Sequence, residues 1–224
     1  MFRSLFLSAL FTTGLIAQAN PVPAPAPKPM PQVELPTFPN TNCPIMGKKV
    51  SMPLFVDTEV GRFYVCCKPC FKKVLADVPA AQKTGYPTTK EVGNKVCPVS
   101  GEPIGELAVG ITLQGHSFQV CCAGCVDEAR RDSQLTLTKL LREGIVEVGN
   151  TTCPVTGEPV AANAFVLIGK SLVRLSSPKA VEAVEKDPAA VLAKANELSK
   201  KQPPKPKHVH TPKEAQASKP GDDK

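Results

Sequence analysis

The chain has 224 residues, with nine cysteines, 24 prolines, two tyrosines, no tryptophan and a formal net charge of +7. So few aromatic side chains leave little for bases to stack on. Four of the seven net charges fall in a C-terminal stretch, where seven lysines from Lys200 onward face only Glu214, Asp222 and Asp223. The basic balance therefore describes a solvated arm and argues against a nucleic-acid interface.

Met1-Phe2-Arg3 is a short basic start, residues 5–17 are apolar or small, and Ala17-Gln18-Ala19 has the small-x-small pattern of a signal-peptidase site. The apolar run is short for a bilayer span and no later stretch approaches that length. Residues 1–19 are expected to be a signal peptide, and the absence of a cysteine just after it argues against a lipoprotein. The mature chain then begins near Asn20 in the periplasm or outside the cell. Residues 20–40 are a Pro/Ala-rich linker with polyproline II character, expected to contribute no core. Residues 200–224 form the matching Lys/Pro-rich tail.

Between these arms the sequence repeats. Asn42-Cys43-Pro44-Ile45-Met46-Gly47 returns as Val96-Cys97-Pro98-Val99-Ser100-Gly101 and again as Thr152-Cys153-Pro154-Val155-Thr156-Gly157. The leading cysteines are 54 and then 56 residues apart. A second cluster follows in two copies, Cys66-Cys67-Lys68-Pro69-Cys70 and Cys121-Cys122-Ala123-Gly124-Cys125; in the third, Ser176, Ser177 and Ala180 stand in its place. Three cysteines lost together, inside a pattern otherwise kept, point to one site per unit. The expected division is 41–92 and 93–149 for two intact modules and 150–199 for a degenerate third.

Each unit reads as a small α+β module, a Cys-Pro turn followed by a β-hairpin and a helix. Hairpin strands are predicted at 54–57 with 62–66, 107–113 with 116–121, and 165–168 with 171–175, with Gly61, Gly115 and Gly169 at the turns. A helix is predicted to start at each cysteine pair, with Phe71, Val74 and Leu75 as its apolar side in the first unit. In the third unit Ser177 is the expected N-cap, Pro178 the first helical residue, and Asp187-Pro188 the start of a second helix.

A module of about 40 residues buries too little apolar surface to be stable without metal or disulfides. The candidate metal ligands are Cys43, Cys66, Cys67 and Cys70 in the first unit and Cys97, Cys121, Cys122 and Cys125 in the second. A thiolate-bound structural Zn²⁺ contributes on the order of 10–16 kcal/mol of apparent binding energy, enough to fold such a unit. Disulfides are the alternative in an exported chain. Neighbouring cysteines have Cα atoms about 3.8 Å apart, below the usual ~4.4–6.8 Å of a disulfide. Bonds within Cys66–Cys67 or Cys121–Cys122 would be strained, while pairings such as Cys43–Cys66 with Cys67–Cys70 stay open. A redox-active Cys-x-x-Cys lacks the βαβ context of thioredoxin-like proteins.

The spacings Cys43-x22-Cys66-x3-Cys70 and Cys97-x23-Cys121-x3-Cys125 resemble the heavy-metal TRASH motif, and Gly61-Arg62-Phe63-Tyr64-Val65-Cys66-Cys67-Lys68-Pro69-Cys70-Phe71 resembles the end of YHS domains. The resemblance covers residues 42–77 and 96–132, with a degenerate copy at 152–197. It implies tandem treble-clef-like zinc-finger modules and a role in heavy-metal trafficking, resistance or sensing. Two features depart from it. Met46, Ser100 and Thr156 occupy the turn position where YHS domains keep a cysteine, and Cys67 and Cys122 are extra to the three-cysteine motif. Both members of a vicinal pair reach one ion only if the chain turns there, since neighbouring strand residues face opposite sides. Three thiolates would otherwise leave an open position. In either case soft sulfur ligands favour Zn²⁺ or Cu⁺.

Other candidates are weaker. His116 stands at a hairpin turn near the second cluster, His208 and His210 in the tail, and Met30, Met46 and Met52 are possible thioether donors, of which Met46 and Met52 read first as packing residues. Cys153 reads first as a buried small hydrophobe, with a free thiol able to link two chains as the alternative. No catalytic constellation or phosphate-cradling glycine loop is present, so no enzyme is expected. The functional expectation is an exported metal-binding protein. The alternative is a structural or interaction protein, its cysteines in disulfides or structural zinc sites and its Pro/Lys-rich arms binding a protein partner or envelope surface.

Overall fold

The computed structural model describes residues 31–201, so residues 1–19, expected to be a signal peptide, residues 20–30 of the linker (including Met30), and residues 202–224 of the tail with His208 and His210 lie outside the described residues. Within them the chain is a small α+β protein whose three units share one order of elements. The first unit holds strands β2 (Phe55–Thr58) and β3 (Gly61–Tyr64) and helices α1 (Pro69–Ala76) and α2 (Val78–Gly85), preceded in the chain by β1 (Val33–Glu34). The second has β4 (Lys90–Glu91), β5 (Val109–Leu113), β6 (His116–Val120), α3 (Gly124–Arg131) and α4 (Ser133–Leu141). The third has β7 (Val146–Glu147), β8 (Phe165–Ile168), β9 (Ser171–Arg174), a single 3₁₀ turn (Pro178–Ala180), α5 (Val181–Lys186) and α6 (Pro188–Lys200).

The three predicted hairpins form, each antiparallel. In the second unit Gln114 and Gly115 both have positive φ (+45° and +76°), as a two-residue I′ turn requires. The helices begin just after the vicinal cysteines, because Cys66-Cys67 and Cys121-Cys122 sit in bends. Each helix stops at an aspartate, Asp77, Asp132 or Asp187, after which a second helix starts. The Asp77 and Asp187 carboxylates cap it by accepting the amides of Ala80 and Ala190, both at 3.0 Å. The second helices of the first two units escape the helix prediction above, although Asp77-Val78-Pro79 carries nearly the same signal as Asp187-Pro188. Ser177 occupies its expected cap position, but its side chain makes no capping bond. Leu75, expected on the apolar face, is exposed.

The connections between units are sheet edges. β4 pairs in parallel with β6, and β7 with β9, so the segment entering each of the last two units extends that unit's hairpin. The expectation that residues 20–40 contribute no core fails for residues 31–40. β1 pairs with β8 of the third unit, Phe38 packs on the second unit's core, and the Asn40 side chain is buried in the first. The prolines of this segment do not prevent this, because an edge strand needs only one side of its backbone paired. Arg142 at the end of α4 adds an ion pair to Glu34.

The third hairpin is buried on both faces. Val166, Ile168 and Val173 belong to its own core, while Phe165, Leu167 and Leu172 pack with Leu135 of α4. This explains the unbroken apolar run Phe165-Val166-Leu167-Ile168, which a half-exposed hairpin would alternate. Beside it Arg174 donates to the buried Asp132 carboxylate at 2.7 Å, and Asp132 also accepts the Asn163 amide at 2.6 Å. The first and second units meet where the Gln114 amide donates to the Val60 carbonyl (3.1 Å) and its side chain donates to the Tyr86 hydroxyl (3.2 Å).

One asparagine in each unit ties the Cys-Pro turn to the hairpin. Asn150 donates to the carbonyls of Thr152 (2.9 Å) and Arg174 (2.8 Å) and accepts the Arg174 amide (3.1 Å). Asn40 and Asn94 make the same three bonds, to Asn42 and Tyr64 and to Val96 and Gln119. Asn150→Ala leaves these partners unpaired in a 1 % exposed position, and is expected to destabilise the third unit by about 2–3 kcal/mol. A lower denaturation midpoint with an unchanged denaturant slope checks this.

Candidate metal centre

Two groups of three sulfurs converge among the described residues. Cys43, Cys66 and Cys70 lie with their Sγ atoms within 4.8 Å of one another, as do Cys97, Cys121 and Cys125. Each trio takes one sulfur from the Cys-Pro turn, one from the end of the hairpin and one from the first turn of the helix. Three elements distant along the chain thus point inward at one place, with the asparagine bridge fixing the turn against the strand.

All nine cysteines are free thiols. The closest sulfur pairs are 3.5–4.0 Å apart, with Cys66–Cys70 at 4.0 Å and Cys121–Cys125 at 3.5 Å. The edge of a tetrahedron of sulfurs around Zn²⁺, from a Zn–S bond of about 2.3 Å, is about 3.8 Å. The spacing matches sulfurs that share an ion, so the residues present fit a soft metal.

Cys67 and Cys122 stand beside the trios. Cys67 Sγ is 3.7 Å from Cys66 and 3.5 Å from Cys70, and Cys122 Sγ is 3.9 Å from both Cys121 and Cys125. The bend at each vicinal pair brings both side chains to the same side, which an extended strand forbids. In the second unit two oxygens also approach the cluster: Ser100 Oγ is 3.3 Å and Glu102 Oε2 3.7 Å from Cys121 Sγ. His116 is not in either group; its Nδ1 lies 3.1 Å from the Gln114 carbonyl. Met46 and Met52, expected as packing residues, are 50 % and 45 % exposed.

The electrostatics differ by position within the trio. Burial pushes the Cys43 thiol up, but the amides of Cys66, Ile45 and Met46 outweigh it and bring the thiol down to about 7. Cys97 is lowered in the same way, burial opposing and the amides of Ser100 and Cys121 prevailing. The Cys-Pro turn is therefore a nest of N–H groups that prepares its sulfur as a thiolate. The other sulfurs move the opposite way. Burial, with neighbouring thiols, raises Cys66, takes Cys70 up to about 12 and Cys121 to about 11, and raises Cys125 further.

The third unit keeps the nest without the cluster. Cys153 is fully buried, as its reading as a small hydrophobe requires, and the amides of Thr156 and Ser176 bring it down to about 7 against the effect of burial. Where Cys66 and Cys121 stand in the other units, Ser176 hydrogen-bonds to Thr156 at 2.9 Å.

What the sequence reading missed is the supporting set: Asn40, Asn94 and Asn150, and the oxygens of Ser100 and Glu102. The asparagines carried a signal, since each stands three residues before the leading cysteine of its unit. Comparison of the chain with family models, curated proteins and solved structures finds no match.

Metal binding requires every ligating thiol to ionise. In the first trio Cys43 is ionised above about pH 7 while Cys66 and Cys70 keep their protons. Above that pH two protons leave per ion, so affinity is expected to fall about a hundredfold for each pH unit lost, steepening toward a thousandfold below it as Cys43 also binds a proton. Competition titrations with a chelator on the Cys97→Ser variant, which isolates the first site, read this slope directly.

Proposed function

We propose that this chain is an exported, non-catalytic metal-binding protein that buffers, delivers or sequesters a soft metal ion, Zn²⁺ or Cu⁺. Its first two units each act as a TRASH/YHS-like, treble-clef-like cysteine module, and the third is a copy that has become scaffold. The observation that carries this reading is the convergence of Cys43, Cys66 and Cys70, and separately of Cys97, Cys121 and Cys125, on sulfur spacings suited to one ion each. Thiolate donors select Zn²⁺ or Cu⁺ over hard cations. A three-thiolate site with a further position open suits exchange better than permanent structure. The signal-peptide pattern and the Pro/Lys-rich arms support a place outside the cytoplasm, near a protein partner or envelope surface. No helix among the described residues is long and apolar enough to cross a membrane.

A purely structural role has one observation in its favour, the near-complete burial of the second cluster, where Cys121 and Cys122 are 4 % and 8 % exposed. It applies less to the first unit, where Cys66 and Cys67 are only half-buried.

Protein purified without reductant from its native compartment is expected to carry two equivalents of metal per chain, with nine reactive thiols after chelation and denaturation. Elemental analysis with thiol counting makes the measurement. Metal-free protein with four disulfides would reject the proposal. Cys43→Ser and Cys97→Ser should each remove one equivalent.

A further inference from the structure

The second cysteine of each vicinal pair has no task in the deep trio, yet it is held close. In the first unit Cys66–Cys67 is 3.7 Å, Cys67–Cys70 is 3.5 Å and Cys66–Cys70 is 4.0 Å. These three sulfurs form a second triangle that shares the Cys66–Cys70 edge with the trio completed by Cys43. The outer triangle has sides near the ~3.8 Å edge of a thiolate tetrahedron, and the sulfurs of the trio with Cys43 all lie within 4.8 Å of one another. An ion moving between them keeps two sulfur bonds and exchanges one, Cys43 for Cys67. Stepwise exchange of that kind avoids releasing a bare ion into water. It also presents the ion to another molecule's ligand on the outer side.

The second unit has the same pair of triangles, with outer sides of 3.9, 3.5 and 3.9 Å. Its surroundings differ. Ser100 and Glu102, half-buried, place their oxygens 3.3 and 3.7 Å from Cys121, and the outer triangle is buried. In the first unit the same two turn positions hold Met46 and Lys48, both exposed, and the outer triangle is half-open through Cys66 and Cys67. The two sites therefore share a ligand set but not an exit.

Building on the metal-binding reading, we propose that the first unit is the exchange site, with Cys67 as the ligand through which the ion enters and leaves, and that the second unit retains its ion because Ser100 and Glu102 close its outer triangle.

The test uses the full mature chain loaded with two equivalents of Zn²⁺ and mixed with an excess of a chromogenic zinc chelator. Release is expected in two phases of equal amplitude, the fast one absent in Cys43→Ser and the slow one absent in Cys97→Ser. Cys67→Ser should keep both equivalents while slowing the fast phase about tenfold, or about 1.4 kcal/mol on the barrier. Cys67→Ala should do the same, and far-UV circular dichroism confirms that both variants are folded. Ser100→Met combined with Glu102→Lys should speed the slow phase toward the fast one. A single release phase in the unsubstituted chain, an unchanged fast phase in folded Cys67→Ser, or loss of one equivalent on that substitution would each overturn the proposal; the last would make Cys67 a permanent ligand. Failure of the unsubstituted chain to bind any Zn²⁺ is a separate result, which overturns the metal-binding reading itself.

Discussion

In the first two units the sulfur cluster and the apolar core are the same object. Cys43 and Cys70 are core residues beside Phe63, Val65 and Val74, and Cys97, Cys121 and Cys125 are core residues beside Leu113, Phe118 and Val120. A unit of this size has little apolar surface to bury, and it places thiols, which pack as small hydrophobes, at the centre. Ionising those thiols in a dry core is costly unless a cation or N–H donors meet them. The Cys-Pro turn supplies donors to one sulfur only. Burial raises the other two thiols of each trio, so protonation and packing are coupled in each unit, and an ion shared by the trio would couple to both.

The third unit is an internal comparison. It keeps the Cys-Pro turn, the asparagine bridge, the hairpin and the helix pair, and loses three thiols together. The replacement is apolar and hydroxylic: Ala180 joins the core, and Ser176 is satisfied by Thr156. Its hairpin is also covered from outside by α4 and flanked by β1 and β7. A unit with two buried sheet faces draws its stability from apolar area and has no need of an ion. Its position then makes it the base on which the other parts sit: β1 and β7 pair into its sheet, and Asp132 of the second unit is neutralised by its Arg174.

The N-terminal residues 31–40 bind the assembly across units. They touch the third unit through β1, the second through Phe38 and the first through Asn40. The two metal-candidate units thereby share a common strap, while their clusters face different surroundings: the turn of the first carries exposed Met46 and Lys48, and that of the second brings Ser100 and Glu102 to Cys121. Two sites of one ligand set can thus differ in access without differing in their sulfurs.

From the sequence alone came the threefold repeat, the hairpins to within a residue or two, the Asp187-Pro188 helix start and the identity of the clustering cysteines. These are legible because they rest on short-range rules: alternation in strands, caps at helix starts, glycine at turns, and residues that recur or vanish as a set. Tertiary structure alone decided the rest. Which three of four sulfurs meet depends on where a bend between Cys66 and Pro69 aims each side chain. The use of a Pro-rich segment as a shared strap depends on an unpaired sheet edge more than 130 residues away. The exposure of Met46 and Met52, the double burial of the third hairpin and the closeness of Ser100 and Glu102 to Cys121 all depend on what packs from other parts of the chain. Local sequence sets what each element is; the neighbours it meets after folding set which of its faces is wet, and hence which thiols an incoming ion can reach.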